Sequence, residues 1–101
     1  MVKVVWTETA IQDIQDIAEY IAKDSVKYAE LTAMRLFEAV DILEKNPRAG
    51  VKVPEFNEEG IRQLIRGNYR IVYLIVDDYR IDILTVHNTA RLLKNVDPFK
   101  E

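Results

Sequence analysis

The chain has 101 residues, 49% of them hydrophobic and 31% charged, with a formal net charge of −3. That length supplies one ordinary core, so a single domain over residues 1–101 is expected; the lack of cysteine removes disulfides and thiol-based metal or redox chemistry and makes the cytoplasm the simpler compartment. No apolar run approaches a bilayer span, the N-terminal stretch lacks the apolar core of a secretory signal, and the acidic balance argues against nonspecific polyphosphate binding by the whole molecule.

In chain order, Val2, Val4 and Trp6 alternate with Lys3 and Val5, the period-two pattern of a half-buried strand. Thr7 is placed to cap a helix in which Ile11, Ile14, Ile17, Ala18 and Ile21 form one apolar stripe. Ser25 caps a second helix, with Ala29, Ala33, Leu36, Phe37, Val40 and Leu43 again at helical spacing. The short "KDS" link between them predicts an antiparallel helical hairpin. Pro47 and Gly50 in "KNPRAG" end it, and a turn-rich stretch runs from Val51 to Gly60.

Three strand-like runs follow, Ile61 to Arg66, Tyr69 to Val76 and Arg80 to His87, separated by "GN" and "DDY". They predict an antiparallel meander. The segment "NTARLLKNVDPFKE" fits a short helix or a crossing of the sheet. The order β, α, α, β, β, β argues for an α+β domain, one largely antiparallel sheet with two helices packed on one face. Its other face is then open. Tyr69 to Val76 is apolar at odd and even positions alike, as in a central strand protected on both sides, so a protein partner is expected to cover that face.

Charge is distributed unevenly. Residues 1–60 hold seven Lys/Arg against twelve Asp/Glu, whereas residues 61–101 hold seven against five, so a local basic surface belongs to the second part. There is no Gly-rich phosphate loop or serine elbow, and one histidine cannot supply a multi-histidine metal site, so no metal or cofactor is expected. Most carboxylates fall on the outer helix faces, where solvation explains them.

The stronger cluster is Arg62, Arg66, Arg70 and Arg91, with His87 at the end of the last strand. Guanidinium groups bind phosphate or carboxylate in bidentate fashion, and imidazole titrates near neutrality, so these residues suit an RNA or an acidic peptide. Set against that, arginines line many solvated sheet edges, and a lone strand-end histidine is commonly a hydrogen-bonding residue. A two-residue "GN" loop pairs Arg66 with Tyr69, Gln63 with Val72 and Arg62 with Tyr73, which separates Arg70 from Arg62 and Arg66; a bulged loop brings all three together. Among the aromatics, Trp6 reads as a core anchor, Tyr73 as a buried ring whose hydroxyl reaches a partner, and Tyr69 as a shield over the core.

The segments "VVWTETAIQDIQDIAEYIAKDS", "LEKNPRAGVKVPE" and "IRQLIRGNYRIVYLIVDDYRIDILTVHNTAR" resemble, in order and over nearly the full chain, the RelE/ParE superfamily of type II toxin–antitoxin toxins. The resemblance implies a small α+β toxin of plasmid-stabilisation type, neutralised by a cognate antitoxin that wraps its target-binding surface. RelE-like members cut messenger RNA on the ribosome; ParE-like members inhibit DNA gyrase. Arg70 falls on the family's strand arginine and Arg62 on a position that is basic in the nucleases. Leu64 occupies the second basic position of that strand, and Phe99 stands near where the nucleases carry a catalytic tyrosine. His87 and Arg91 are similar to the "V-H-x-x-x-R" ending of ParE-like members. The resemblance therefore favours a gyrase inhibitor in which Arg62, Arg66, Arg70, His87 and Arg91 contact target or antitoxin. Its alternatives are a ribosome-dependent endoribonuclease using Arg62, Arg70, His87 and Arg91, and a degenerate toxin that only binds its antitoxin.

Overall fold

The computed structural model describes residues 1–89. Strand β1 (Lys3–Trp6) leads into helices α1 (Glu8–Ala22) and α2 (Val26–Ala39), and a 3₁₀ turn (Val40–Glu44) extends the second helix before Pro47. Strands β2 (Val51–Lys52), β3 (Ile61–Arg66), β4 (Tyr69–Asp77) and β5 (Arg80–Asn88) complete one five-stranded sheet in the order β1-β5-β4-β3-β2. The meander is as the sequence predicts, with two additions. β1 lies parallel to β5 at one edge, and the turn-rich stretch contributes the short β2 at the other. The "NTARLLKNVDPFKE" expectation falls almost wholly on 90–101, outside the described residues.

Both helices start where a hydroxyl satisfies an otherwise orphaned amide. Thr7 Oγ1 accepts from Ala10 N at 3.2 Å, and Ser25 Oγ accepts from Tyr28 N at 3.1 Å. Thr7 Oγ1 also donates to the Ile83 carbonyl at 2.6 Å, so the cap of α1 is tied to the sheet it packs on. Ala10, Ile14, Leu36, Val40 and Leu43 from the helical side meet Leu64, Ile71, Tyr73, Ile81, Ile83 and Val86 from the sheet in the main core. Trp6 is half-buried against this core, and its ring meets Phe37 edge-on with centroids 4.9 Å apart.

The second face is not open along its whole length, which corrects the expectation that a partner alone must cover it. Val53 and Phe56, from the connection between β2 and β3, pack on Ile61, Val72, Leu84 and Leu74. Apolar residues on both sides of β4 are thus explained by helices on one side and the chain's own loop on the other. Within β4 and β5, Val72 pairs with Thr85 and Tyr73 with Ile83, leaving Leu84 as the extra residue of a β-bulge.

Candidate functional site

The register of the β3–β4 hairpin decides where the arginines go. Arg66 pairs with Tyr69, Ile65 with Arg70, Gln63 with Val72 and Arg62 with Tyr73, the two-residue-loop alternative. Gly67 takes φ +58 and Asn68 stays out of the positive-φ region, as a turn of type II′ demands. Cross-strand partners share a face. Arg62, Leu64, Arg66 and Tyr69 therefore lie on the helix side, while Ile65, Arg70 and His87 form one row across the other side. Of the proposed site residues that are described, Arg62 and Arg66 lie on one face and Arg70 and His87 on the other, so the four do not converge; Arg91 lies outside the described residues.

Arg62 serves the fold. Its Nη1 donates to the Gly50 carbonyl at 3.0 Å and its Nη2 to Glu59 Oε1 at 3.2 Å, while its Nε is buried with no acceptor among the described residues. Glu59 also faces Lys52 at 3.2 Å and Arg48 at 3.7 Å. The Lys52 hydrogen bond and charge, then the Arg62 and Arg48 charges, hold its carboxyl below the usual range. Leu64, on the strand position that is basic in the nucleases, is buried in the main core.

Arg70 is held as well. Its Nη1 donates to Glu55 Oε2 at 3.0 Å and lies 3.4 Å from Gln63 Oε1, with the Arg70 and Glu55 side chains only 14% and 17% exposed. A carboxylate of the loop between β2 and β3 thus occupies the guanidinium of the central strand. The proposed partnership of Arg66 and Arg70 is divided: Arg66 is exposed on the helix side and, among the described residues, bonded to its neighbour's carbonyl at Ile65, 2.8 Å away.

His87 is buried beside Arg70, and sequence spacing gave no hint of what holds it. β1 ends opposite Ile83, so the outer edge of β5 beyond that point has no strand partner among the described residues. Asp13, from α1, fills the gap: its Oδ2 accepts from Val86 N at 2.9 Å and from Thr85 Oγ1 at 2.5 Å. Thr85 Oγ1 in turn lies 2.7 Å from His87 Nε2. A hydroxyl has one proton, and a carboxylate can only accept, so Thr85 gives its proton to Asp13 and accepts from His87. The proton of a neutral imidazole therefore resides on Nε2. The relay Asp13–Thr85–His87 fixes the ring's tautomer and joins α1 to the sheet.

The match to known proteins covers this whole arrangement. The ParE toxin family of type II toxin–antitoxin systems, parDE, matches residues 4–93. This chain belongs to that family. Toxin RelE2 of Caulobacter vibrioides is 30% identical over 92 residues, covering 91% of this chain and 100% of the relative. Among solved structures, a chromosomal ParDE system from P. aeruginosa aligns with a TM-score of 0.70 at 23% identity, covering 87% of this chain and 96% of the other. The RelBE2 toxin–antitoxin complex of Mycobacterium tuberculosis aligns with a TM-score of 0.60 at 26% identity, covering 86% and 96%. The protein is a type II toxin of the RelE/ParE superfamily. Among the described residues, no helix of the toxin is long and apolar enough to cross a membrane.

Proposed function

We propose that this toxin acts as a ParE-like inhibitor of DNA gyrase and is neutralised by its cognate antitoxin. The observation that carries this reading is the dispersal of charge on the sheet. Cutting RNA requires several cations around one scissile phosphate, where negative charge develops in the transition state. Here Arg62 and Arg70 lie on opposite faces, and each is neutralised by a carboxylate of the same chain. A toxin that works by protein contact needs no such cluster. In this reading one domain, residues 1–101, acts in the cytoplasm and plasmid stabilisation is a natural context.

One observation favours the ribonuclease alternative: Arg70 and His87 are cross-strand partners, and the Asp13–Thr85 relay holds the imidazole in one form. Two assays on purified toxin separate the readings. Gyrase supercoiling should be blocked while ribosome-bound messenger stays intact. Ribosome-dependent cleavage with supercoiling unaffected would replace this reading with the RelE-like one, and inertness in both assays without growth arrest would mark a degenerate toxin.

A further inference from the structure

Six arginines fall among the described residues, and four are ion-paired within the chain: Arg48 and Arg62 with Glu59, Arg70 with Glu55, and Arg80 with Asp82. The two without a carboxylate partner among the described residues, Arg35 on α2 and Arg66 at the end of β3, line one and the same pocket. That pocket, of about 480 Å³, lies between the helical hairpin and the turn at Gly67 and Asn68. Its apolar wall is made by Ile21, Leu36 and Tyr69, and none of its described lining residues is acidic. In a chain with net charge −3, a pocket whose described lining carries two cations and no carboxylate is a local reversal of sign.

We propose that this pocket is the anchor site for an acidic, amphipathic segment of the antitoxin. The segment places one large apolar side chain against Ile21, Leu36 and Tyr69, with a Glu or Asp reaching Arg35 and Arg66. This rests on the toxin reading above and adds where and by what chemistry the partner is gripped. A guanidinium binds a carboxylate bidentately, and an apolar residue with an acidic one three or four positions away presents both groups on one helix face. The volume lies within the range of roughly 300–1,000 Å³ usual for ligand pockets. Nucleic acid is the poorer occupant, because two guanidinium groups neutralise few phosphates and an apolar wall gains nothing from a sugar–phosphate chain. Tyr69 already reports a partly desolvated setting, since burial and then the neighbouring Tyr28 raise its phenol above the ordinary range.

The probes are four: a helical peptide with leucine and glutamate four positions apart, its glutamine counterpart, its alanine-for-leucine counterpart, and a uridine hexanucleotide. Each is titrated into ¹⁵N-labelled full-length toxin. The glutamate peptide should shift the Arg35 and Arg66 side-chain Nε–H signals and the Gly67 and Asn68 amides, with the glutamine peptide bound roughly tenfold or more weakly. The alanine peptide should also weaken. The Arg35→Gln, Arg66→Gln double variant, melting as the parent does because both side chains are exposed, should lose the preference for glutamate. Equal binding of the glutamate and glutamine peptides, the absence of shifts at the pocket, or displacement of the peptide by the hexanucleotide would overturn the proposal. If this happens while growth arrest and its relief by antitoxin persist, the pocket assignment alone fails; a toxin inert in growth removes the reading beneath it.

Discussion

Tyr73 shows how one side chain organises the region around the candidate site. Its ring is fully buried, and its hydroxyl accepts from Gly50 N at 2.9 Å while donating to the Pro47 carbonyl at 2.8 Å. That pair of bonds locks the turn after α2 onto the sheet, and it explains Gly50. A Cβ there would lie 2.5 Å from the Gln63 carbonyl and 2.7 Å from the Tyr73 hydroxyl, so no larger residue fits without moving backbone. Tyr73→Phe should cost roughly 1–3 kcal/mol in urea unfolding, since it leaves a buried donor and acceptor unmatched. The same group sets an alkaline limit. Burial raises the Tyr73 phenol, against a smaller pull downward from the Gly50 N–H and the Arg62 and Arg48 charges. A folded pKa above the unfolded one favours the protonated phenol in the fold. Stability from this source is therefore complete below the unfolded value of about 10 and is lost as pH rises through the folded one. Thermal melts from pH 8 upward should show that fall, and Tyr73→Phe should flatten it in part, leaving the contribution of Tyr69.

At the scale of elements, the joint between α1 and β5 matters most. β5 has nine residues and β1 only four, so part of the β5 edge needs another partner, and Asp13 supplies it. Because His87 is the sole histidine, its ring nitrogens give an isolated NMR signal pair. The spectrum of the neutral ring should show the proton on Nε2. Thr85→Val should remove that preference and lower stability by about 1 kcal/mol or more, because Asp13 and His87 each lose a partner. A spectrum with the proton on Nδ1 in the parent protein would contradict the relay. The helical hairpin and the meander were legible in the sequence because their periodicities and caps are local. Asp13 was not, since on α1 it looks like any other acidic residue of the solvent side, and only docking brings it to Val86.

Across the whole molecule, the sheet separates cations that look like one cluster along the chain. Arg66 and Arg70 are four positions apart, yet one is exposed on the helix side and the other is clamped by Glu55 on the opposite side. Arg66→Ala should leave the melting temperature unchanged, whereas Arg70→Ala should lower stability by roughly 1.5–3 kcal/mol, because it removes a charge-assisted hydrogen bond to a largely buried Glu55. Equal melting of the two variants would show that the ion pair contributes nothing to the fold. The loop that carries Glu55 has a matching role on that face: Val53 and Phe56 close over Val72 and Leu84, so less of the sheet is left for a partner than an open face implies.

From the sequence alone came the element order apart from the two-residue β2, the α+β class, the boundaries of the other strands to within a residue or two and the superfamily, because hydrophobic period, caps and turn residues are properties of neighbours along the chain. Tertiary structure decided the parallel edge, the cover over the second face, the separation of the arginines and the hold on His87. These depend on register and on contacts between residues dozens of positions apart, and a shift of one residue in a hairpin moves every side chain of a strand to the other face.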